Sequence, residues 1–139
     1  MKISKYFGWG KGLALMTLLI ILGGLSEAKA FESITNRGNN VTVDVAPVQL
    51  ASGKSVKFEV RMNTHSVPLE QDLTAVSTLK DDQGGNYQPV KWQGSPPGGH
   101  HRSGILEFPI LKGNPKTVKL IIKEVAGVPE RTFEWKLDR

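Results

Sequence analysis

Three histidines carry the most specific chemistry in this sequence, because a neutral imidazole binds transition metals and exchanges protons near neutral pH. His65 stands alone, whereas His100 and His101 follow two glycines in a Pro- and Gly-rich stretch. Imidazoles that converge from irregular loops could hold copper or zinc. A further ligand would come from Met62, Asp72 or Glu130. The alternative is that each histidine only hydrogen-bonds the backbone of its own loop.

Arginine and tryptophan side chains near the histidines offer two other kinds of binding. Arg102 follows His101 directly, and Arg131 lies in the same region of the expected fold. Their guanidinium groups could bind an anion, although surface arginines are more often solvated or paired with a carboxylate. Trp92 precedes the histidine-rich loop and could stack on a sugar. The alternative is that one of the two adjacent histidines packs inward beside Trp92.

Features of catalytic sites are weak in this sequence. Serines 66, 95 and 103 lie near the histidines, but no nucleophile-elbow pattern surrounds them. The glycines do not open a helix pattern, as a phosphate-binding loop would require. The chain has no cysteine, which excludes thiol catalysis, cysteine-ligated zinc, iron–sulfur clusters and thiolate copper sites. We therefore expect a protein that is not an enzyme.

The elements that position these residues read as strands, because apolar and polar residues alternate in short runs separated by Gly, Pro and Asn turns. No stretch has a helical period with capping signals. The pattern predicts an all-β fold, an antiparallel immunoglobulin-like β-sandwich of about seven strands, with a small closed β-barrel as the alternative. The predicted strands are residues 41–48, 56–62, 73–79, 87–93, 105–110, 118–123 and 133–138.

Strand order predicts where the candidate residues gather. If the strands run alternately up and down, the second, fourth and sixth connections lie at one end of the sandwich. These connections are residues 63–72, 94–103 and 126–130. Loops on a rigid sandwich are frequent binding sites. The candidate ligand- or partner-binding residues are therefore His65, Trp92, His100, His101, Arg102 and Glu130, and the candidate metal ligands are His65, His100 and His101.

The start of the chain has the pattern of a secretory signal peptide. A basic beginning is followed by an apolar run over residues 13–25 and by Ala28-Lys29-Ala30. We expect a signal peptide over residues 1–30, a flexible arm over 31–40 and the sandwich over 41–139. An uncleaved anchor is the alternative, but the apolar run is short for a membrane span of about 20 residues. We therefore expect an exported protein without a stable membrane span after cleavage.

Charge narrows the class of partner. The chain has 18 basic and 13 acidic residues, of which the first 30 residues carry four Lys and one Glu. The remaining 14 basic and 12 acidic residues give residues 31–139 a net charge of only +2. This charge does not favour nucleic acid or an anionic membrane as a partner.

Several short motifs resemble a known group of proteins. They are Thr-His-Ser-Val at 64–67, Pro-Val-Lys-Trp at 89–92, Gly-Gly-His-His-Arg at 98–102 and Gly-Val-Pro-Glu-Arg at 127–131. Together they are similar to small exported prokaryotic β-sandwich domains that have no assigned activity. The resemblance covers nearly all of residues 31–139 and implies the fold and the compartment, but no reaction. Periplasmic copper carriers of sandwich fold are a looser comparison. Their mature chain begins with a histidine ligand, whereas the expected first residue after cleavage here is Phe31.

Taken together, these patterns predict an exported, non-catalytic binding or accessory module of the cell envelope. Its partner would be an envelope protein or a small ligand, bound by the loop end that carries the histidines. The alternative is a periplasmic or secreted copper- or zinc-binding protein.

Overall fold

The computed structural model describes residues 30–137, so the predicted signal peptide lies outside the described residues except for Ala30. Two antiparallel sheets pack face to face, with strand orders β1-β2-β3-β7-β6 (sheet A) and β5-β4-β8-β9 (sheet B). The elements are β1 Ile34–Gly38, β2 Val41–Gln49, β3 Ser55–Thr64, α1 Leu73–Val76, β4 Ser77–Asp81, β5 Asn86–Tyr87, β6 Lys91–Gly94, β7 His101–Ile110, β8 Thr117–Val125 and β9 Val128–Lys136. Both sheets have open edges, so the structure is the predicted antiparallel sandwich, and the alternative of a small closed barrel is wrong.

The core lies between the two sheets, because alternate residues of each strand turn inward. In β3 the inward side chains of Val56, Phe58, Val60 and Met62 are all fully buried. The Phe58 ring of sheet A stacks on the Trp135 ring of sheet B, with 5.1 Å between the centroids and 27° between the planes. The predicted alternation of these strands is therefore confirmed, and aromatic contacts join the sheets.

The prediction of one strand over residues 73–79 is half wrong. Leu73–Val76 form one helical turn, and β4 begins at Ser77. The Asp72 carboxylate accepts hydrogen bonds from the Thr74 amide at 3.0 Å and the Thr74 hydroxyl at 2.7 Å, which starts this turn. These bonds lower the pKa of Asp72, the side-chain bond contributing most. Local side-chain capping thus overrides the apparent alternation.

The predicted strand over residues 87–93 is also divided. Asn86–Tyr87 pairs with β4 in sheet B, whereas Lys91–Gly94 pairs with β7 in sheet A. The chain crosses between the sheets around Pro89, which cannot donate a ladder hydrogen bond. The inward side chains change phase at this crossing, from Tyr87 to Trp92, whereas the prediction carried a single phase through residues 87–93.

Two tight turns lie where the sequence predicted an irregular arm and a loop, so the strand boundaries there differ from the prediction. Asn39 and Asn40 have positive φ and connect β1 to β2 as a hairpin, so the predicted arm without regular structure is wrong for Ile34–Gly38. Ala126 and Gly127 likewise have positive φ and connect β8 to β9. Two-residue turns with positive φ suit the twist of antiparallel strands. The predicted loop over 126–130 therefore shrinks, and β9 begins at Val128.

Candidate functional site

The three connections that carry the candidate residues meet at one end of the sandwich, hereafter the histidine end. The Thr64 amide donates to the His100 carbonyl at 3.0 Å, which continues the pairing of β3 with β7. The Leu69 amide donates to the Gly99 carbonyl at 3.0 Å, and the Gly98 amide donates to the Leu69 carbonyl at 2.8 Å. The predicted meeting of the connection after β3 with the connection before β7 is therefore confirmed.

The turn between β8 and β9 lies at the same end. The side-chain nitrogen of Asn39, Nδ2, donates to the Ala126 carbonyl at 2.9 Å, and that of Gln71, Nε2, donates to the Glu124 carbonyl at 3.0 Å. These bonds tie sheet B to the loops of sheet A. All three predicted connections are thus brought together.

Two of the three histidines come into direct contact. The rings of His65 and His101 are exposed, and their centroids are 6.5 Å apart with an edge-to-face angle of 81°. His101 Nδ1 lies 2.8 Å from the side-chain oxygen of Asn63. The tautomer that fits this contact carries its proton on Nδ1, because the Asn63 oxygen only accepts hydrogen bonds, and in that tautomer Nε2 keeps its lone pair. The pair therefore presents a free imidazole nitrogen toward solvent.

His101 belongs to a polar row on the outer face of sheet A, and His65 lies beside this row. Strand register places Arg37 opposite Thr42, Thr42 opposite Asn63 and Asn63 opposite His101. A shallow cavity of about 460 Å³ borders this row beside His65. We call this surface the histidine face and define it by Arg37, Thr42, Asn63, His65 and His101. The sequence signals neither Arg37 nor Asn63 as site residues, since their positions follow only from strand register.

His100 lies in the loop but outside the ring contact. Its side chain is exposed, and its backbone carbonyl is the acceptor for Thr64. The preceding Gly98 and Gly99 both have positive φ, which bends the loop before β7 begins. The structure therefore places His100 beside the histidine face and not within it.

Arg102 is buried beneath the histidine end and holds its loops together. It is only 2% exposed, and its guanidinium donates to the carbonyls of Leu69 at 3.1 Å and Gln71 at 2.6 Å. The guanidinium carbon also lies 5.8 Å from the centre of the Trp92 ring. Burial lowers the pKa of Arg102, and nearby Asp72 opposes that shift. The geometry gives Arg102 a structural task below the surface.

Trp92 packs against the edge of the core. Its indole N–H donates to the Ser95 carbonyl at 2.9 Å, and its ring lies against Gly104, where a Cβ would come within 2.8 Å of the ring. The Ser95 hydroxyl in turn donates to the Ser103 carbonyl at 3.2 Å. These contacts close the long loop onto β7. The side chains of the loop thus order its own backbone.

Arg131 and Glu130 lie apart from the histidine pair. Arg131 is fully buried and donates to Asn36 Oδ1 at 3.0 Å and to the Gly38 carbonyl at 2.8 Å, so it joins β9 to the β1–β2 hairpin. Burial lowers the pKa of Arg131. Glu130 is on the outer face of sheet B, where its carboxylate lies 3.9 Å from the ammonium of Lys123.

The other proposed metal ligands are also placed elsewhere. Met62 is fully buried in the core, and the Asp72 carboxylate caps α1. Over residues 30–137, no three His, Asp or Glu side chains form a group that could hold a metal ion. The structure therefore reduces the predicted histidine cluster to the pair of His65 and His101.

A larger cavity lies at the opposite end of the sandwich. It has a volume of about 880 Å³ and is bordered by residues 81–88 and 109–113. The Tyr87 hydroxyl donates to Asp81 Oδ2 at 2.8 Å and accepts from the Lys112 amide at 3.0 Å. The other Asp81 oxygen accepts from the Gly85 amide at 2.7 Å. Since these polar atoms close their own turn, the histidine face remains the better candidate for binding chemistry.

Comparison with known proteins gives no assignment, because no family model matches the chain and no curated protein or solved structure is significantly similar to it. The resemblance noted from short motifs therefore stays a prediction. Among residues 30–137, no helix has the length and apolar character needed to cross a bilayer.

Proposed function

We propose that this chain is an exported, non-catalytic binding module of the cell envelope that recognises a partner protein or small ligand through the histidine face. One observation carries the proposal: the backbone and buried side chains of the histidine end are bonded to one another, while the imidazoles of His65 and His101 face solvent. A preorganised frame lowers the entropy cost of binding. Exposed polar side chains on such a frame are suited to recognition.

The loop contacts also favour binding over catalysis. The Ser95 hydroxyl is bonded to the backbone of Ser103, and the Asp72 carboxylate is bonded to Thr74. Both groups are thus hydrogen-bonded to partners other than an imidazole, whereas a nucleophile and its orienting carboxylate would be bonded to one. The imidazole pair thus offers hydrogen-bonding and metal-binding nitrogens without the arrangement of a hydrolase.

The test maps the surface that an envelope fraction perturbs. Amide chemical shifts of the isotope-labelled protein are recorded with and without solubilised envelope extract, or with pools of small envelope metabolites. We expect changes at residues 37–42, 63–66 and 98–102. Changes confined to residues 81–88 and 109–113 would move the working surface to the opposite cavity and overturn the proposal.

A matched pair of variants separates binding from stability. The double variant His65→Ala/His101→Ala removes two exposed rings and is expected to abolish the shift changes while preserving the melting temperature. The control Lys80→Ala/Lys119→Ala removes two exposed side chains that face each other across β4 and β8. It is expected to bind as the unmodified protein does.

A further inference from the structure

We infer that His65 and His101 form an open two-imidazole site for a divalent transition metal, copper(II) or zinc(II). The inference rests on the proposed function and names the chemistry that the histidine face would present to its partner. Both rings are exposed, both belong to residues of one polar surface, and they already touch edge to face. Imidazole nitrogen is a preferred ligand of both ions.

The distance between the two ring centroids is close to the distance expected for two imidazoles that bind the same ion. With metal–nitrogen bonds of about 2.0–2.1 Å, two rings on one tetrahedral ion have centroids roughly 5 Å apart, and rings on opposite sides of an ion roughly 6.4 Å apart. The observed distance between the His65 and His101 centroids is 6.5 Å. An approach of about 1.5 Å covers the range from opposite to tetrahedral ligands, and rotation of the two exposed side chains supplies it.

Asn63 sets the coordinating atom of His101. Its side-chain oxygen accepts the Nδ1 proton at 2.8 Å, which leaves Nε2 as the ligand atom. Metal-binding histidines generally use this arrangement, in which the N–H that does not face the metal donates to a hydrogen-bond acceptor. This bond orients the ring and raises its basicity. Strand pairing fixes Asn63 opposite His101, so the orientation is built into the sheet. Asn63 is therefore a positioning residue for the site.

Two protein ligands leave coordination positions open on the metal. In the isolated protein these positions hold water, and in the complex they take a donor group from the partner. Such a site exchanges or shares its ion, unlike a closed structural site with four protein ligands. His100 is not a ligand, which separates this site from a cluster of all three histidines.

The test measures metal uptake by the full chain. Zinc(II) is titrated by calorimetry, and copper(II) is followed by electron paramagnetic resonance with counting of coupled imidazole nitrogens. We expect one ion per chain with two imidazoles. His65→Ala and His101→Ala should each weaken the affinity at least about tenfold, whereas His100→Ala changes it less than about twofold. The double variant His65→Ala/His101→Ala gives the background from the amino terminus and other surface groups.

Variants of Asn63 test its positioning role. Asn63→Ala should weaken binding by about tenfold, and Asn63→Asp, which keeps an acceptor for Nδ1–H, should restore it. Circular dichroism confirms the fold of each variant, and His101→Gln serves as a second, isosteric removal of the ligand. Equal affinity in the unmodified protein and His65→Ala, or a loss in His100→Ala as large as in His101→Ala, would overturn the metal site.

Failure of the metal site and failure of the proposed function give different results. Partner binding that is unchanged by a chelator, with no uptake dependent on His65, overturns the metal site and leaves the binding module intact. Uptake by two imidazoles without any bound partner supports the metal site and overturns the binding module.

Discussion

At the scale of single residues, Arg102 determines whether the histidine end keeps its shape. One guanidinium nitrogen, Nη1, donates to both the Leu69 and the Gln71 carbonyls, and Nη2 lies 3.5 Å from the Ser95 carbonyl. A compact ammonium group cannot reach all three acceptors with the same geometry. We expect Arg102→Lys to lower the free energy of unfolding by about 2–4 kcal/mol, because buried acceptors lose their partner. Urea denaturation followed by circular dichroism measures the change.

Arg61→Lys is the matched control for this prediction. Arg61 lies on the exposed face of the same sheet and forms an ion pair with Glu59 at 2.8 Å. Such surface pairs contribute about 0–1 kcal/mol, so the control should unfold almost as the original protein does. If Arg102→Lys costs no more than Arg61→Lys, Arg102 does not hold the loops.

The role of the two buried arginines marks a limit of sequence reasoning. Strand order correctly brought Arg102 to the histidine end, but residue type predicted a surface group. Arg131 is bonded to Asn36 and Gly38, more than 90 residues earlier in the chain. Such partners become visible only when the β1–β2 hairpin packs on β9. The location of these side chains was predictable, whereas their burial depended on tertiary contacts.

At the scale of elements, Tyr87 fastens the short strand β5 to the rest of sheet B. Its hydroxyl bridges Asp81 and the Lys112 amide. Tyr87→Phe leaves both groups without this partner, so we expect a loss of about 1–3 kcal/mol in the free energy of unfolding. Gln88→Ala is the control, since Gln88 is the exposed neighbour and its side-chain nitrogen makes a long hydrogen bond of 3.4 Å to the Thr78 hydroxyl.

The raised pKa of Tyr87 predicts that the free energy of unfolding falls at alkaline pH. Burial raises the pKa of Tyr87 above its ordinary value of 10.0, and the bond to Asp81 adds to this effect. The folded state therefore favours the neutral phenol. This stabilisation is complete below pH 10 and is lost as pH rises through the folded pKa. Phenolate absorbance, taken as the difference between the unmodified protein and Tyr87→Phe, measures the pKa, and a value at or below 10 contradicts the prediction.

Alternation predicted the long strands well, because β2, β3 and β9 each bury alternate residues. It failed where a local bond or a change of sheet interrupts a strand. The Asp72 cap turns the chain into α1, and the crossing near Pro89 separates β5 from β6. The capping turn leaves the period of two over residues 73–79 unchanged, and the change of phase between Tyr87 and Trp92 spans too few residues to mark a boundary. The histidine end was still located correctly, because β5 and β6 together span the sandwich once, as a single strand would.

At the scale of the whole molecule, Phe58 makes the two sheets one cooperative unit. Its ring stacks on Trp135 of sheet B and meets Phe108 of sheet A edge to face, with centroids 6.0 Å apart. We expect Phe58→Ala to cost about 3–5 kcal/mol, from lost transfer free energy and the cavity left behind. The loss should appear equally in both sheets, because each side of the core loses its contact with the other.

Amide hydrogen exchange measures this cooperativity site by site. Val60 in sheet A and Leu120 in sheet B are both fully buried, so their amides report the global opening of each sheet. A loss of about 3–5 kcal/mol accelerates exchange by roughly two to three and a half powers of ten at both sites. Val48→Ala, at a side chain that is 54% exposed, should leave both rates nearly unchanged. Acceleration at Val60 alone would show that sheet B unfolds independently, and the rigid frame assumed for the histidine face would then rest on sheet A only.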